Sequence, residues 1–358
     1  MGVIPVCNLI VNSYKGDYEV SIIGKKDEKY LKKYIFKNLS IDSFLIVDEK
    51  LIKLFPFIKN YWSYNNIISI KSCEKSKTLA NCESVIKKLI RLGFKKNMTL
   101  VALGGGVIQD ITSFTSSILF RGVDWIFVPT TLLSQSDSCI GSKNCINYDK
   151  TKNLLGTFYP PIKIFSFLSF LDTLSVNEIK SGIGEILHYY FVDNSNLLYE
   201  IKDNYDELIQ NRNLLEKHII QSLEIKKRMV EIDEFDKGER VVFNYGHTFG
   251  HALESISNFS ITHGQAVTRG MDIANYISYK ESKINYNTYK EYRKILEKNF
   301  PEMKLNNNQI EKFIKLLKSD KKSYSGQIRC IIPDDNNMIV HSITDFIIFK
   351  KNYNSICK

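Results

Sequence analysis

The first 160 or so residues of the chain alternate short apolar runs with amphipathic stretches. Runs rich in β-branched residues, most of them ending at Asp, Gly or Pro, predict five strands: EVSIIG (19–24), SFLIVD (43–48), NIISIK (66–71), MTLVALGGG (98–106) and WIFVP (125–129). The segment NCESVIKKLIRLG (81–93) places Val85, Ile86, Leu89 and Ile90 on one face of a predicted helix. Strands and helices in alternation predict a parallel sheet covered by helices.

From about residue 173 the pattern becomes helical. Helical periodicity with few strand signals runs through SVNEIKSGIGEILHYYF, NRNLLEKHIIQSLEIKKRMV, GHTFGHALESI and AVTRGMDIANYISYKES. The later segment GQIRCIIPDDNNMIVHSI (326–343) predicts a small hairpin. The sequence therefore predicts an α/β nucleotide-binding domain with a parallel sheet over residues 1–162 and a mainly α-helical domain over residues 163–358.

Composition narrows the class of protein. The chain has 358 residues, of which 44% are hydrophobic, but it has no run of the ~20 apolar residues that a membrane helix needs. Its seven cysteines are scattered and form no CxxC pair, and its N-terminus lacks a secretory pattern, so we expect a cytoplasmic protein. The net charge of +10 comes from lysines interspersed with acids, so we expect an anionic small molecule as partner, with no nucleic acid and no membrane.

Two segments of the first domain have candidate binding chemistry. In VALGGGVIQD a strand leads through three glycines into a helix, which suits a pyrophosphate, although the loop is not GxGxxG and a simple tight turn is the alternative. In PTTLLSQSDSCIGSKNCIN, Asp137 and Lys143 could bind a hydroxylated anionic substrate, and a solvated polar loop is the alternative.

The segment FNYGHTFGHALES (243–255) indicates a metal site. His247 and His251 stand four residues apart, so a helix places them on one face. His263 follows twelve residues later, and Glu185 in GIGEILHYY is a further candidate ligand. Three ligands drawn from His and Glu are typical of catalytic zinc, whereas a histidine pair with a structural role is the alternative.

Several motifs occur together in one order: GGGVIQD, RGVDWIFVPTTLLSQSDSCIGSKNCIN, TKNLLGTFYPP, GIGEIL, ERVVFNYGHTFGHALE, THGQAV and SDKKSYSGQIRCIIP. From about residue 45 to residue 333 the chain resembles 3-dehydroquinate synthase and its wider family, the sugar-phosphate cyclases. The resemblance implies a homodimeric enzyme with zinc or cobalt that keeps its NAD through each turnover. Its substrate would be an anionic sugar phosphate, 3-deoxy-arabino-heptulosonate 7-phosphate, converted to 3-dehydroquinate and phosphate.

The resemblance also implies roles for individual residues. The metal ligands would be Glu185, His247 and His263, and His251 would contact the substrate or relay protons. The NAD contacts would be Asp48, Lys50, Glu74, Lys77, Gly105, Gly106, Asp110, Thr130, Thr131, Lys152 and Thr173. The substrate and catalytic set would be Asp137, Lys143, Asn153, His188, Lys226, Arg240, Asn244, His251 and Lys321, with Arg121 reaching the phosphate of a neighbouring subunit.

The chain departs from the family pattern at three positions. Gln109 stands where the glycine loop usually has Gly, Ser142 replaces a glycine before Lys143, and His188 stands where a lysine usually follows the metal-binding glutamate. His188 supports a sister cyclase acting on sedoheptulose 7-phosphate or glucose 6-phosphate, and a tolerated exchange of one polar contact for another is the alternative. Arg240, Asn244 and Lys321 match the pattern for a sugar-acid substrate and favour dehydroquinate synthase. A polyol dehydrogenase and a non-catalytic relative are the remaining alternatives.

Overall fold

The structure is a computed structural model that describes residues 6–24, 36–149, 151–258, 260–303, 305–318, 327–335 and 337–343. Contacts within the chain divide it into two compact units. Unit 1 comprises Met1–Leu174 and Glu216–Phe235, and unit 2 comprises Ser175–Leu215 and Asp236–Lys358.

Unit 1 is built on a mainly parallel sheet, as the sequence predicts. Its described strands are β1 (Cys7–Val11), β2 (Tyr18–Ile23), β3 (Ser43–Asp48), β4 (Ile67–Ile70), β5 (Thr99–Gly104), β6 (Trp125–Pro129), β7 (Ile146–Tyr148), β8 (Thr151–Leu155) and β9 (Lys163–Phe167). Seven of them form a sheet in the order β1-β2-β9-β6-β5-β3-β4, whereas β7 and β8 form a separate hairpin. Only the β1–β2 pair of the large sheet is antiparallel.

Four helices precede β6 among the residues of unit 1 that the structure describes: α1 (Lys37–Leu39), α2 (Glu49–Leu54), α3 (Leu79–Arg91) and α4 (Gly106–Ile118). Shorter helical turns cover Pro56–Asn60, Tyr64–Asn66, Glu74–Ser76, Leu119–Arg121, Ser134–Ser138 and Leu168–Thr173. The predicted helix is α3, which buries Cys82, Val85 and Leu89, whereas Ile90 at the edge of the predicted face is 50% exposed. Ile90 lies about 100° around the helix from Leu89, on the solvent side.

The core of unit 1 combines central strands with a group of aromatic side chains. Leu45, Val47, Val101 and Leu103 are fully buried, which explains why these strands read as continuous apolar runs. Phe36, Phe57, Phe167 and Phe170 belong to the same core, together with Trp62. The Trp62 indole N–H donates to the Ser43 hydroxyl at 2.9 Å, so this buried ring keeps its polar group paired.

Unit 2 is mainly helical, as predicted. Its helices are α5 (Val176–Val192), α6 (Leu197–Gln210), α8 (His247–Ile256), α9 (His263–Lys280), α10 (Tyr286–Leu296) and α11 (Asn307–Lys318), with shorter turns at Glu239–Asn244 and Glu297–Asn299. Helix α7 (Arg212–Ile232) belongs to unit 1 from Glu216 onward. The predicted hairpin is confirmed as β10 (Ile328–Asp334) paired with β11 (Asn337–Ile343).

The compact units differ from the division predicted at residue 162 in two ways. Strand β9 begins at Lys163 and pairs with both β2 and β6, so these residues belong to the sheet of unit 1. The α7 segment also belongs to unit 1, where the Ser222 hydroxyl donates to the Ser136 carbonyl at 2.9 Å. Sequence periodicity reports local structure, so it gives no sign of these long-range pairings. No helix in the described ranges combines the length and apolarity needed to cross a membrane.

Candidate active site

Glycines bring three helices of unit 2 into backbone contact. A Cβ added at Gly184 of α5 would overlap the carbonyl of Gly264 in α9, and one added at Gly264 would overlap the carbonyl of Ser181. A Cβ at Gly250 of α8 would lie 3.0 Å from the Cα of Val267 in α9. Each of these glycines stands next to a candidate site residue in the sequence, so the close approach brings those residues together.

Glu185, His247 and His263 meet at this helix junction. Their potential ligand atoms all lie within 4.8 Å of one another. Glu185 Oε1 is 3.3 Å from His263 Nε2 and 3.8 Å from His247 Nε2. Ligands about 2.1 Å from a tetrahedral zinc are about 3.4 Å apart, so the separations suit such an ion.

The buried carboxylate also indicates a cation. Glu185 is 1% exposed, and its Oε1 makes no hydrogen bond of acceptable geometry among the described residues. The Nδ1 atom of His247 lies 3.2 Å from the Tyr245 carbonyl, which suits an N–H at Nδ1 and a lone pair at Nε2, the atom nearest Glu185. These residues therefore fit a divalent metal.

Gly184→Ala is expected to lower both stability and metal affinity. The added methyl must separate α5 from α9, which costs about 1–3 kcal/mol of unfolding free energy and displaces the adjacent Glu185. Denaturant unfolding and a metal titration measure the two effects. Gly106→Ala is the control because nothing lies within 4 Å of its added Cβ, and cofactor-free unfolding should be unchanged. Wild-type stability in Gly184→Ala would show that the helices tolerate separation.

Metal binding at neutral pH is expected to release a proton from His263. In the metal-free protein desolvation lowers the pKa of His263, but the carboxylates of Glu254 and Glu185 outweigh it and hold that pKa well above its ordinary value. A metal binds only the neutral imidazole, so metal affinity should fall roughly tenfold for each unit of pH decrease. Calorimetric titrations in buffers of different ionisation enthalpy count the protons. An affinity independent of pH would contradict this expectation.

The other predicted residues of unit 2 lie around this cluster or elsewhere in the unit. His251 is exposed, and its ring centre lies 5.6 Å from those of both His247 and His263. Arg240 is buried in the turn before α8, and the Asn244 side chain donates to the Val241 carbonyl at 2.9 Å. Lys321 lies outside the described residues.

His188 occupies a closed aromatic environment. It is 1% exposed, its ring centre lies 4.9 Å from that of His247, and its Nδ1 lies 3.8 Å from Glu185 Oε2. Phe243 and Tyr245 flank the same ring. A long lysine side chain with a charged end would be costly to bury here, whereas an imidazole packs against these rings. A substrate contact by His188 stays a prediction.

In unit 1 the glycine loop connects β5 with α4. Gly104 ends the strand, and Gly105 precedes the first residue of the helix, Gly106. A Cβ at Gly105 would lie 2.9 Å from the Cγ2 of Thr131, and the Thr130 N–H donates to the Gly104 carbonyl at 3.0 Å. The loop, Thr130 and Thr131 are therefore neighbours at the carboxyl ends of β5 and β6, where such sheets bind ligands.

Lys77 and Asp110 form a buried ion pair close to this loop. Lys77 Nζ lies 2.7 Å from Asp110 Oδ2 and donates to Asn153 Oδ1 at 3.1 Å. Glu74 Oε1 is 3.8 Å from the same ammonium group. Desolvation lowers the pKa of Lys77, but Asp110, Cys145 and Glu74 together outweigh it and hold that pKa above its ordinary value. Four residues that the resemblance assigned to cofactor or substrate are thus brought together.

The remaining predicted cofactor contacts are more dispersed. Asp48 ends β3 and accepts a hydrogen bond from the Lys50 N–H at 3.0 Å, which caps α2. Lys152 is half-buried in β8. Thr173 is exposed, and its hydroxyl donates to the Phe170 carbonyl at 2.9 Å. Their roles at a cofactor stay predictions.

Unit 1 brings two of the predicted substrate residues, Asp137 and Lys226, into direct contact. Lys226 is 5% exposed, and its Nζ lies 2.6 Å from Asp137 Oδ1 and 2.7 Å from the Asp137 carbonyl. Lys143 is exposed, and its backbone forms an isolated antiparallel β-bridge with the backbone of Phe158. Arg121 is exposed at a turn with φ 64°.

The structure adds residues that motif reasoning missed. Cys145 lies 3.3 Å from both Lys77 Nζ and Asp110 Oδ2, and burial raises the pKa of its thiol to about 12. Glu254 lies 3.1 Å from His263 Nδ1. The spacing of His247, His251 and Glu254 at i, i+4 and i+7 on one helix could have revealed Glu254.

Two of the three departures from the family pattern lie in unit 1. Gln109 and Ser138 form two hydrogen bonds with each other, both of 2.6 Å, and Ser142 is buried.

Comparison with known proteins identifies the family of this chain. The model for the 3-dehydroquinate synthase N-terminal domain matches residues 67–181, and the model for the C-terminal domain matches residues 182–323. The chain belongs to the 3-dehydroquinate synthase family. The resemblance from which the motifs were interpreted is thereby confirmed.

Among relatives of the 3-dehydroquinate synthase family, the synthase of Dictyoglomus thermophilum is 36% identical over 324 residues, which is 87% of this chain and 90% of the relative. That of Clostridium tetani is 33% identical over 325 residues, covering 89% of this chain and 86% of the relative.

Solved structures confirm the fold class. A 2-deoxy-scyllo-inosose synthase in complex with carbaglucose-6-phosphate, NAD+ and Co2+ has a TM-score of 0.84 at 21% identity, covering 96% of this chain and 98% of that one. The 2-epi-5-epi-valiolone synthase of Streptomyces hygroscopicus, with NAD+ and Zn2+, has a TM-score of 0.81 at 17% identity, covering 95% and 96%. An iron-containing alcohol dehydrogenase of Thermotoga maritima has a TM-score of 0.61 at 15% identity, covering 93% and 97%. The metal-dependent dehydrogenases thus share the fold at a greater distance.

Proposed function

We propose that this protein has 3-dehydroquinate synthase activity and converts 3-deoxy-arabino-heptulosonate 7-phosphate to 3-dehydroquinate and phosphate. The match of both domain models in their proper order carries this proposal. Curated synthases at 32–36% identity over most of the chain support it. They also favour it over a sister cyclase, because the structures of those cyclases are only 17–21% identical to this chain.

Two cofactors are part of the proposal. When bound, NAD takes a hydride from the substrate and returns it, while zinc or cobalt polarises the oxygen at the reacting carbon. Glu185, His247 and His263 would hold the metal. The backbone of the glycine loop and the N-terminus of α4 would hold the NAD pyrophosphate, since amide N–H groups and the helix dipole favour anions there.

The charged residues of the chain would bind the two anionic groups of the substrate. Lys143, Lys226 and Arg240 supply positive charge for phosphate and carboxylate. Lys226 also holds the Asp137 carboxylate in place. His251 is exposed beside the metal-ligand cluster, where it would accept or donate a proton. Loss of phosphate then leaves an intramolecular closure in which positioning contributes most.

A substrate panel with phosphate-release detection tests this function. Metal-loaded protein with NAD should release phosphate from 3-deoxy-arabino-heptulosonate 7-phosphate without net formation of NADH, and a chelator should stop it. Sedoheptulose 7-phosphate and glucose 6-phosphate should remain unchanged. Turnover of either of these instead would select the sister cyclase, and net NADH would select a dehydrogenase.

The remaining parts of the proposal concern assembly and location. A homodimer agrees with the exposed position of Arg121, which would reach the phosphate bound to a neighbouring subunit. A location in the cytoplasm agrees with the scattered cysteines. The described cysteines are free thiols. Light scattering on the purified protein measures the oligomeric state, and a monomer at assay concentration would remove the role of Arg121.

A further inference from the structure

Glu254 is a buried carboxylate on the same helix as two of the histidines. Its side chain is 8% exposed, and it follows His251 by three residues on α8. Burying an ionised carboxylate is costly unless hydrogen bonds or positive charge compensate it. Glu254 lies on the same side of α8 as His247 and His251. Its carboxylate is therefore directed towards the metal-ligand cluster of Glu185, His247 and His263.

The carboxylate of Glu254 contacts one ring nitrogen of His263, and Glu185 lies at the other. Glu254 Oε2 is 3.1 Å from His263 Nδ1, and Glu185 Oε1 is 3.3 Å from His263 Nε2. A carboxylate accepts hydrogen bonds, so the contact with Glu254 requires an N–H at Nδ1. In the metal-bound state the lone pair of His263 must then be at Nε2, the nitrogen that faces the other two ligands.

The position of His263 explains why such a support is needed. His263 is the first residue of α9, and its side chain is 31% exposed, more than those of Glu185 and His247. The Tyr245 carbonyl contacts Nδ1 of His247 in the equivalent way. Each histidine of the cluster thus has an oxygen at Nδ1 that orients the ring, and for His263 this oxygen carries negative charge.

We propose that Glu254 is a positioning residue of the metal centre, a role that rests on the metal site of the proposed function. It fixes the tautomer and ring orientation of His263 and increases the electron density at Nε2. Carboxylates that support metal-bound histidines typically contribute 10–100-fold to metal affinity. Glu254 itself does not bind the ion, so the protein should bind one metal per chain at this cluster.

The test measures metal affinity directly in the full chain. Zinc affinity is determined by competition with a chromophoric chelator, and the visible absorption of bound cobalt(II) reports ligand geometry. Glu254→Ala should bind zinc about 10–100-fold more weakly than the wild type and shift the cobalt spectrum. Glu254→Gln keeps an oxygen acceptor without the charge, so its affinity should lie between the two.

Asp272→Asn is the matched control. Asp272 is a fully buried carboxylate of α9 whose Oδ2 lies 3.3 Å from Arg269 and from Arg293. This substitution should lower stability but leave zinc affinity and the cobalt spectrum unchanged. Circular dichroism establishes that each variant is folded.

Three outcomes would overturn the role of Glu254. They are wild-type zinc affinity in folded Glu254→Ala, equal losses in Asp272→Asn and Glu254→Ala, and a second equivalent of zinc that is lost with Glu254. The last outcome would mean that Glu254 is itself a metal ligand, at a second site with His251 and His263. The potential ligand atoms of these three residues also lie within 4.8 Å of one another. Because the readout is metal binding, a wild type that binds zinc but releases no phosphate would refute the proposed reaction and leave this role intact.

Discussion

His247→Ala is expected to remove the bound metal and, with it, at least about 10³-fold of the rate of phosphate release. Polarisation of an oxygen by a metal contributes several kcal/mol to transition-state stabilisation, and each 1.4 kcal/mol is about a factor of ten. The variant leaves Glu185 buried with one imidazole fewer beside it. Without its metal, the buried carboxylate of Glu185 loses the charge of the ion and retains the imidazole of His263 at 3.3 Å. Metal content per chain and the phosphate-release rate are the two measurements.

Two further histidine variants make that experiment specific. His341→Ala removes an imidazole from β11, where we assign no role, and should retain both metal and rate. His251→Ala should retain the metal and lose rate, because His251 is predicted to act on the substrate. If His247→Ala kept its metal while His251→Ala lost it, the assignment of the two histidines would have to be reversed.

Lys226→Met is expected to cost about 3–5 kcal/mol of unfolding free energy and at least about 10²-fold in rate. Lys226 is buried and the Asp137 side chain is 19% exposed, so removing the ammonium group leaves a largely desolvated carboxylate uncompensated. Here Asp137 would lose the ammonium group 2.6 Å from its carboxylate, and its carbonyl would lose the same donor. A displaced Asp137 would no longer orient the substrate, and small displacements cost about two orders of magnitude in rate. Denaturant unfolding and the phosphate-release assay measure these losses.

The neighbouring lysine provides the control for Lys226. Lys227 lies on the same helix and contacts Glu231 at 2.8 Å, with both side chains more exposed than that of Lys226. A surface pair of this kind contributes about 0–1 kcal/mol, so Lys227→Met should retain nearly full stability and rate. Equal losses in the two variants would mean that α7 itself is sensitive to substitution. Loss of stability with full rate in Lys226→Met would restrict Lys226 to a structural role.

Local sequence pattern was sufficient for the elements that carry the site. Three of the five predicted strands differ from the observed strands by no more than two residues at each end, and SFLIVD and WIFVP match in full. Strands β1 and β9 were not anticipated, nor were α6, α10 and α11. Helix α6 contains a non-helical residue at Asn204, which interrupts its helical period. Length does not explain the other missed elements, because the five-residue strand WIFVP was predicted in full.

The sequence by itself determined the family of this protein and which residues are candidates for its chemistry, because glycine loops, histidine spacing and ordered motifs are local features. Only the tertiary structure decided how those residues pair. Lys226 meets Asp137 across 89 positions, Cys145 joins Lys77 across 68, and Gly184 meets Gly264 so that Glu185 lies beside His263. Glu254 becomes a partner of His263 only once α8 and α9 pack together. Periodicity encodes the exposed face of one element, whereas these contacts depend on how closely the backbones of several elements approach.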